Sequence, residues 1–390
     1  MSSHEYIPYG RHMVTEADIK AVIDVLRSDF LTQGPVVPAF EEAVVNYCHA
    51  KFGVAVNSAT SALHIACLAL DLGPGDWLWT SPITFVASAN CALYCGAQVD
   101  FVDIDPKTFN LSPIELEKKL EHAKQQGKLP KIVVPVHMCG QPCDMSAIHA
   151  LSIKYGFKII EDASHAIGAK YKGVMVGSCS YSDITVFSFH PVKIITTAEG
   201  GMAVTNNPKL AHQMSLLRSH GITRDPQLMT HTADGPWYYQ QIALGFNYRL
   251  TELQAALGLS QMNILGSAIA HRHKLANQYA ALLEKLPIDT PWQHSDSHSS
   301  FHLYVIQLNT NIQNLHKEVF ESLRSMNIGV NLHYIPVHTH PYYVQMGFKA
   351  NDFAQAQNYY DKSISIPIYA SMTDAQQLQV VNALKKVLAR

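Results

Sequence analysis

A chain of 390 residues, 47% apolar and only 15% charged, can bury a large core and is long enough for two domains. Its formal net charge of −2 leaves no basic footprint for nucleic acid or for an anionic membrane surface. No apolar run approaches a membrane span, the first residues carry no signal-peptide core, and the seven cysteines are scattered; together these predict a cytoplasmic protein with reduced thiols.

Thr15 with Asp18 opens a first helix as a near capping box, and Ile19, Val22, Ile23 and Leu26 mark its apolar face. The loop from Asp29, Phe30, Leu31 and Thr32 to Gly34 and Pro35 has the composition of a segment lining a cleft. A second helix runs from about Ala39. Strands then alternate with helices. The strands are Gly53 to Val56, Trp77 to Thr80, Val99 to Val102, Ile132 to Val136 and Phe157 to Ile160. The helices follow Asn57-Ser58, span Thr84 to Tyr94, follow Ser112 and span Asp144 to Tyr155. This rhythm predicts an α/β fold with a mostly parallel sheet, whose ligands sit at the carboxyl ends of its strands. A further buried strand, Ile184 to Phe189, stops at Pro191.

Near residue 262 the pattern changes. A helix at Ser267 to Leu283 precedes polar sequence, Pro287 to Ser300. Strands at Leu303 to Leu308, around Val330 to Tyr334 and at Ser363 to Ile368 follow, with helices at Leu315 to Met326 and from Thr373. The expected division is a large domain over 1–262 and a smaller α+β domain over 263–390.

Four features converge on one cofactor. Lys193 follows a strand end beside an apolar core, where a lysine loses hydration and becomes a neutral nucleophile. Asp162 ends the strand before it; a carboxylate there can keep a heterocyclic nitrogen protonated, as pyridoxal phosphate requires. Ser58-Ala59-Thr60 forms a strand-to-helix turn whose free N–H groups favour a phosphate. Phe85 could stack on a planar ring. Taken singly, each has a plainer reading: a solvated lysine, a turn aspartate, an ordinary N-cap, a core phenylalanine. His137, Cys139 and Cys143, and the histidines from His333 to His340, fit no common zinc spacing, so no metal is expected.

The chain resembles the DegT/StrS family of sugar aminotransferases, fold-type I pyridoxal phosphate enzymes. The likeness rests on Asn57-Ser58-Ala59-Thr60-Ser61-Ala62-Leu63-His64, Pro82-Ile83-Thr84-Phe85-Val86-Ala87-Ser88, Gly140-Gln141-Pro142, Glu161-Asp162-Ala163-Ser164-His165-Ala166, Phe187-Ser188-Phe189-His190-Pro191-Val192-Lys193, Thr197-Ala198-Glu199-Gly200-Gly201 and Asn247-Tyr248-Arg249-Leu250-Thr251-Glu252. Within the family, the Glu161 and Thr197 motifs together with Leu31-Thr32-Gln33-Gly34 resemble the pseudaminic acid branch.

The resemblance implies roles. Lys193 would be the Schiff-base lysine and the proton shuttle. Asp162 would pair with the pyridine nitrogen. His165, where many members have glutamine, would lie near the phenolic oxygen. Ala59, Thr60 and Ser188 would hold the phosphate, and Asn247 would reach it from the partner of a homodimer with a shared site. Phe85 would cover the ring. Tyr9, Asp29, Phe30, Leu31, Thr32, Ser58, His333 and Tyr334 would line the sugar cleft. L-Glutamate would give its amine to the 4-keto carbon of a UDP-linked keto sugar, with Arg249 a candidate for the donor's carboxylate. A sister enzyme using another 4-keto or 3-keto sugar is the near alternative. A dehydratase would replace Lys193 by histidine, and a non-catalytic regulator would have lost Lys193 or Asp162.

Overall fold

The computed structural model describes residues 6–309 and 315–388. Seven strands form the main sheet: β1 (Phe52–Val56), β2 (Trp77–Thr80), β3 (Gln98–Phe101), β4 (Ile132–Val134), β5 (Lys158–Asp162), β6 (Ile184–Ser188) and β7 (Gly201–Thr205). Their order is β1-β7-β6-β5-β4-β2-β3. The pairs from β6 across to β3 are parallel, and only β7 runs against both its neighbours. The mostly parallel α/β sheet is therefore as expected. β6 and β7 are buried at every position, which explains why they read as unbroken apolar runs and not as alternation.

Helices cover both faces: α1 (Glu16–Leu26), α2 (Val36–Cys48), α3 (Ala59–Ala69), α4 (Ala87–Tyr94), α5 (Pro113–Gln126), α6 (Met145–Tyr155), α7 (Pro208–Arg218) and α8 (Glu252–Met262). Ala62, Leu63 and Ala66 of α3 pack on Val54, Val186 and Ala203 of the sheet. Phe40 and Val44 of α2 meet Ala55, Phe187 and Met202. Leu116 of α5 and Ile148 of α6 meet Trp79, Val133 and Ile159.

A separate apolar cluster begins at α9 (Leu265–Leu283). It joins the antiparallel strands β8 (Ile288–Asp289), β9 (Tyr304–Leu308) and β10 (Ser363–Ile366) to α10 (Leu315–Ser325) and α13 (Asp374–Leu388); α11 (Pro341–Val344) and α12 (Ala354–Lys362) lie between. Ile7 belongs to this cluster. Its N–H donates to the Asn327 carbonyl at 3.0 Å, and its own carbonyl accepts from Gly329 N–H at 2.7 Å.

Four local expectations are corrected. Val330 to Tyr334 is no strand; Asn331 makes a single bridge to Ser365. The Asn331 side chain takes the next backbone N–H, that of Leu332, at 2.9 Å, which removes it from any ladder. The helix expected from Thr84 starts at Ala87, because Pro82 to Val86 form a turn in which Ser81 Oγ accepts from Ile83 N–H. α2 starts at Val36 and not Ala39: its first N–H groups, Val36 and Val37, donate to the Glu252 carboxylate at 2.7 and 3.1 Å. In α1 the capping box is present, but Asp18 and Val25 are buried while Ile19, Ile23 and Leu26 lie exposed on the chain.

No helix among the described residues is long and apolar enough to cross a membrane.

Candidate active site

The carboxyl edge of the parallel strands opens on a cavity of about 590 Å³. After β6 the chain turns back through a loop closed by Thr197 N–H to Phe189 O and Phe189 N–H to Gly200 O, both 2.9 Å. Lys193 is carried in this loop and lines the cavity. Burial pushes its ammonium down to about 8, against the Asp162 carboxylate, which favours the charged form.

Asp162 ends β5 and is 5% exposed. Its carboxylate accepts from Ser88 Oγ at 2.6 Å and from Ser164 N–H at 3.1 Å. Ser88 is itself 2.8 Å from Thr84 Oγ. A buried carboxylate with fixed donors keeps one orientation towards whatever occupies the cavity.

A second corner lies at the start of α3. Ser58 caps the helix by accepting from Ser61 N–H at 3.1 Å, which leaves the first N–H groups, at Ala59 and Thr60, facing outward from the helix start. A Cβ on Gly201 would sit 2.4 Å from the Ala59 nitrogen, so only glycine lets β7 begin this close to the helix start. Ser58, Ala59, Thr60 and Ser188 all line the cavity.

The opposite wall is aromatic. His165 Nε2 is 3.1 Å from Tyr334 Oη, and the His165 ring lies 4.5 Å from that of His302. His333 Nδ1 bonds Ser365 Oγ at 2.8 Å and its ring lies 5.1 Å from that of Tyr9. Burial, with Lys193 beside it, lowers His333 to about 3 and holds His165 well below the usual imidazole range. Burial raises the Tyr334 and Tyr9 hydroxyls, so both keep their protons. Nδ1 of His165 is buried with no partner among the described residues.

Tyr9, Ser58, Ala59, Thr60, Phe85, Asp162, His165, Ser188, Lys193, His333 and Tyr334 thus meet around one cavity. Phe85 is at its mouth, 59% exposed. Asn247 and Asp29, Phe30, Leu31 and Thr32 do not line it. Asn247 bridges Ser219, and Thr32 bridges Thr251 at the start of α8. Arg249 also lies outside the lining, with Nη1 on Ser219 Oγ at 3.2 Å. Sequence reasoning missed Ser88, Asn331 and His302. Ser88 sat inside a quoted motif, whereas nothing local marks His302. His137 turns Nε2 to Glu161 at 2.8 Å and Nδ1 to the Cys143 N–H at 3.1 Å, so both ring nitrogens are engaged.

The DegT/DnrJ/EryC1/StrS aminotransferase family model matches residues 12–385. The spore coat polysaccharide biosynthesis protein SpsC of Bacillus subtilis is 38% identical over 389 residues, covering 99% of this chain and 98% of that protein. The UDP-4-amino-4,6-dideoxy-N-acetyl-beta-L-altrosamine transaminase of Campylobacter jejuni is 37% identical over 385 residues, 98% of each chain. The solved structure of Helicobacter pylori PseC, an aminotransferase of pseudaminic acid biosynthesis, superposes with a TM-score of 0.91 at 30% identity, covering 99% of this chain and 100% of that one. By sequence, by fold and by the residues gathered at its cavity, the chain belongs to the DegT/DnrJ/EryC1/StrS family of pyridoxal phosphate-dependent sugar aminotransferases.

Proposed function

We propose that this chain holds pyridoxal phosphate on Lys193 and transfers the amine of L-glutamate to the 4-keto carbon of a UDP-linked 4-keto-6-deoxy-N-acetylhexosamine. The product would be UDP-4-amino-4,6-dideoxy-N-acetyl-β-L-altrosamine, in the service of pseudaminic acid. The observation that carries the reading is a depressed, buried lysine sharing one cavity with a buried, hydrogen-bonded aspartate. The name of the C. jejuni relative supplies the sugar, and that of the H. pylori relative the pathway.

The residues present fit the cofactor. Ala59, Thr60 and Ser188, with the close approach at Gly201, form a cradle suited to a phosphate. Asp162 would hold the ring nitrogen protonated, and the unpartnered Nδ1 of buried His165 would meet a polar atom of the bound group. Phe85 would cover the ring from the cavity mouth. When bound, the group supplies the electron sink that lets a carbon–hydrogen bond beside the amine break. Lys193, neutral in appreciable fraction near pH 8, then holds or returns the proton at that carbon in both half-reactions. Tyr9, Ser58, His333 and Tyr334 would orient the sugar nucleotide.

The reading includes a homodimer. Asn247 would complete the phosphate site of the partner subunit, and the Asp29–Thr32 loop would reach the partner's sugar cleft. The exposed Ile19, Ile23 and Leu26 of α1 beside Phe30 and Leu31 support a buried contact there. The proposed division is 1–262 and 263–390, with Ile7 packed on the second part.

Absorbance of the purified protein with pyridoxal phosphate tests the reading. A yellow band that bleaches with L-glutamate, is absent in Lys193→Ala and is restored by a UDP-4-keto sugar is expected. A colourless wild-type protein overturns it. A sister sugar is the second reading, because SpsC, named for spore coat polysaccharide biosynthesis, matches at 38% identity against 37% for the altrosamine transaminase.

A further inference from the structure

His302 is a buried imidazole on the cavity wall with no assigned task. It is 4% exposed, lines the cavity with Lys193, and has a buried Nδ1 with no partner among the described residues. Of its neighbours, His165 gives a ring nitrogen to Tyr334 and His333 gives one to Ser365.

The chain invests heavily in placing this residue. Arg272 of α9 is 1% exposed and forms no ion pair among the described residues; its Nη1 donates to the carbonyls of Phe301, His302 and Ile368 at 3.1, 3.1 and 3.0 Å. Phe301, immediately before His302, is held at φ 47°, a left-handed conformation costly for a phenylalanine. Ser300 Oγ donates to the His165 carbonyl at 2.6 Å. A Cβ on Gly140 would lie 2.2 Å from Ser300 Oγ and 3.2 Å from the His302 nitrogen, so the segment packs where only glycine allows it. A guanidinium without an ion pair among the described residues, a strained backbone and a glycine-only contact all fix the backbone that carries His302.

The amino donor raises a need that this side chain meets. A donor α-carboxylate lies one bond from the carbon whose proton Lys193 moves, so its receptor must stand near Lys193. Among the described residues lining the cavity there is no arginine, and Lys193 is the only lysine. We propose that His302 receives the α-carboxylate of the amino donor, and that Arg272 is the positioning residue that holds His302 there and lends the corner its positive potential. This rests on the transamination reading above.

The groups facing His302 are His165, Lys193, Arg272 and His333. Burial first, and then these neighbours, keep its ring neutral in the free protein. A carboxylate arriving beside it reverses that balance, so the ring takes up a proton on binding and becomes a charge-assisted donor.

The test uses the pyridoxal phosphate-loaded enzyme and glutarate, a dicarboxylate with no amine to transfer. Calorimetry near pH 6 in two buffers of different ionisation heat reads both affinity and proton uptake. Wild type should bind glutarate with proton uptake. His302→Asn should weaken binding about 10- to 100-fold, the worth of a hydrogen bond to a charged group, and abolish the uptake, while its affinity for UDP-N-acetylglucosamine stays unchanged. Arg272→Lys should move glutarate in the same direction by less; if it does not fold, His302→Asn decides alone, its fold checked by circular dichroism. Unchanged glutarate affinity and uptake in His302→Asn, or an equal loss for both ligands, overturns the proposal. Wild-type protein that shows no yellow band with the cofactor overturns the transamination reading itself. A normal band with glutarate binding indifferent to His302 removes this proposal alone.

Discussion

Ser88, in the first turn of α4, donates its hydroxyl to the carboxylate of Asp162 at the end of β5 at 2.6 Å, across 74 residues of sequence. This bond, with the one from Ser164 N–H, holds the aspartate's carboxylate in one orientation on the cavity wall. On the proposed reading, Ser88→Ala lowers kcat about 10-fold or more, the worth of one hydrogen bond to a charged group. Asp162→Asn, which cannot hold a ring nitrogen protonated, lowers it by about 10³-fold, within the range for a lost proton-transfer partner. Steady-state rates check both, and a Ser88→Ala rate equal to wild type would show that the aspartate needs no support.

Lys193 sets a pH dependence for cofactor loading. Only its neutral amine attacks an aldehyde, and burial places the change of charge at about 8. Stopped-flow mixing of apoprotein with pyridoxal phosphate should show a rate that climbs about tenfold per pH unit below that value and flattens above it. A rate still climbing steeply at pH 10 would mean that the lysine is solvated like any other.

The imidazole wall sets a second one, in stability. His165, His302 and His333 are depressed in the folded chain, so below pH ~6.5 the unfolded chain binds more protons than the native one. Their contribution is fully present above pH ~6.5 and is lost as pH falls towards the folded values, each group giving a slope of up to about 1.4 kcal/mol per pH unit. Urea midpoints between pH 7 and 5 should therefore drop, and drop less in His333→Asn. Identical pH slopes in the two proteins would rule out burial of a neutral ring at that position.

Asn247 offers a test of the shared site. Lys193→Ala and Asn247→Ala are each expected to be inactive, but subunits mixed and re-associated should recover about a quarter of wild-type activity, the statistical yield of one intact site in half the dimers. No recovery from demonstrably mixed dimers would confine the site to one chain.

Much of this was legible in the residues. The runs Ile132 to Val136, Phe157 to Ile160 and Ile184 to Phe189 are apolar enough to name central parallel strands, which the structure places at Ile132–Val134, Lys158–Asp162 and Ile184–Ser188, and Pro191 falls in the lysine loop. What escaped has non-local causes. α2 begins where it does because Glu252, more than two hundred residues on, caps its N–H groups. The stretch near Val330 has strand composition, but Asn331 spends its side chain on the adjacent backbone. His302 lies outside every motif, and its place depends on Arg272, Gly140 and Phe301, which only the folded chain brings together. The spacing of Ile19, Ile23 and Leu26 marks an apolar stripe on α1, but periodicity carries no sign that the stripe is exposed on the single chain.

The reversed strand β7 has a consequence for how the molecule is made. β1 lies at the sheet's edge with β7 as its neighbouring strand, so the corner at Ser58 and Thr60 is complete only once the stretch from Gly201 onward has left the ribosome. During synthesis the helix start that faces the cavity waits on a strand far downstream, a contact of high sequence separation that forms late. A small molecule that binds only the completed corner then acts as a mass-action trap for the finished fold. In a cell, supply of that molecule would set how many new chains escape proteolysis as well as how many turn over.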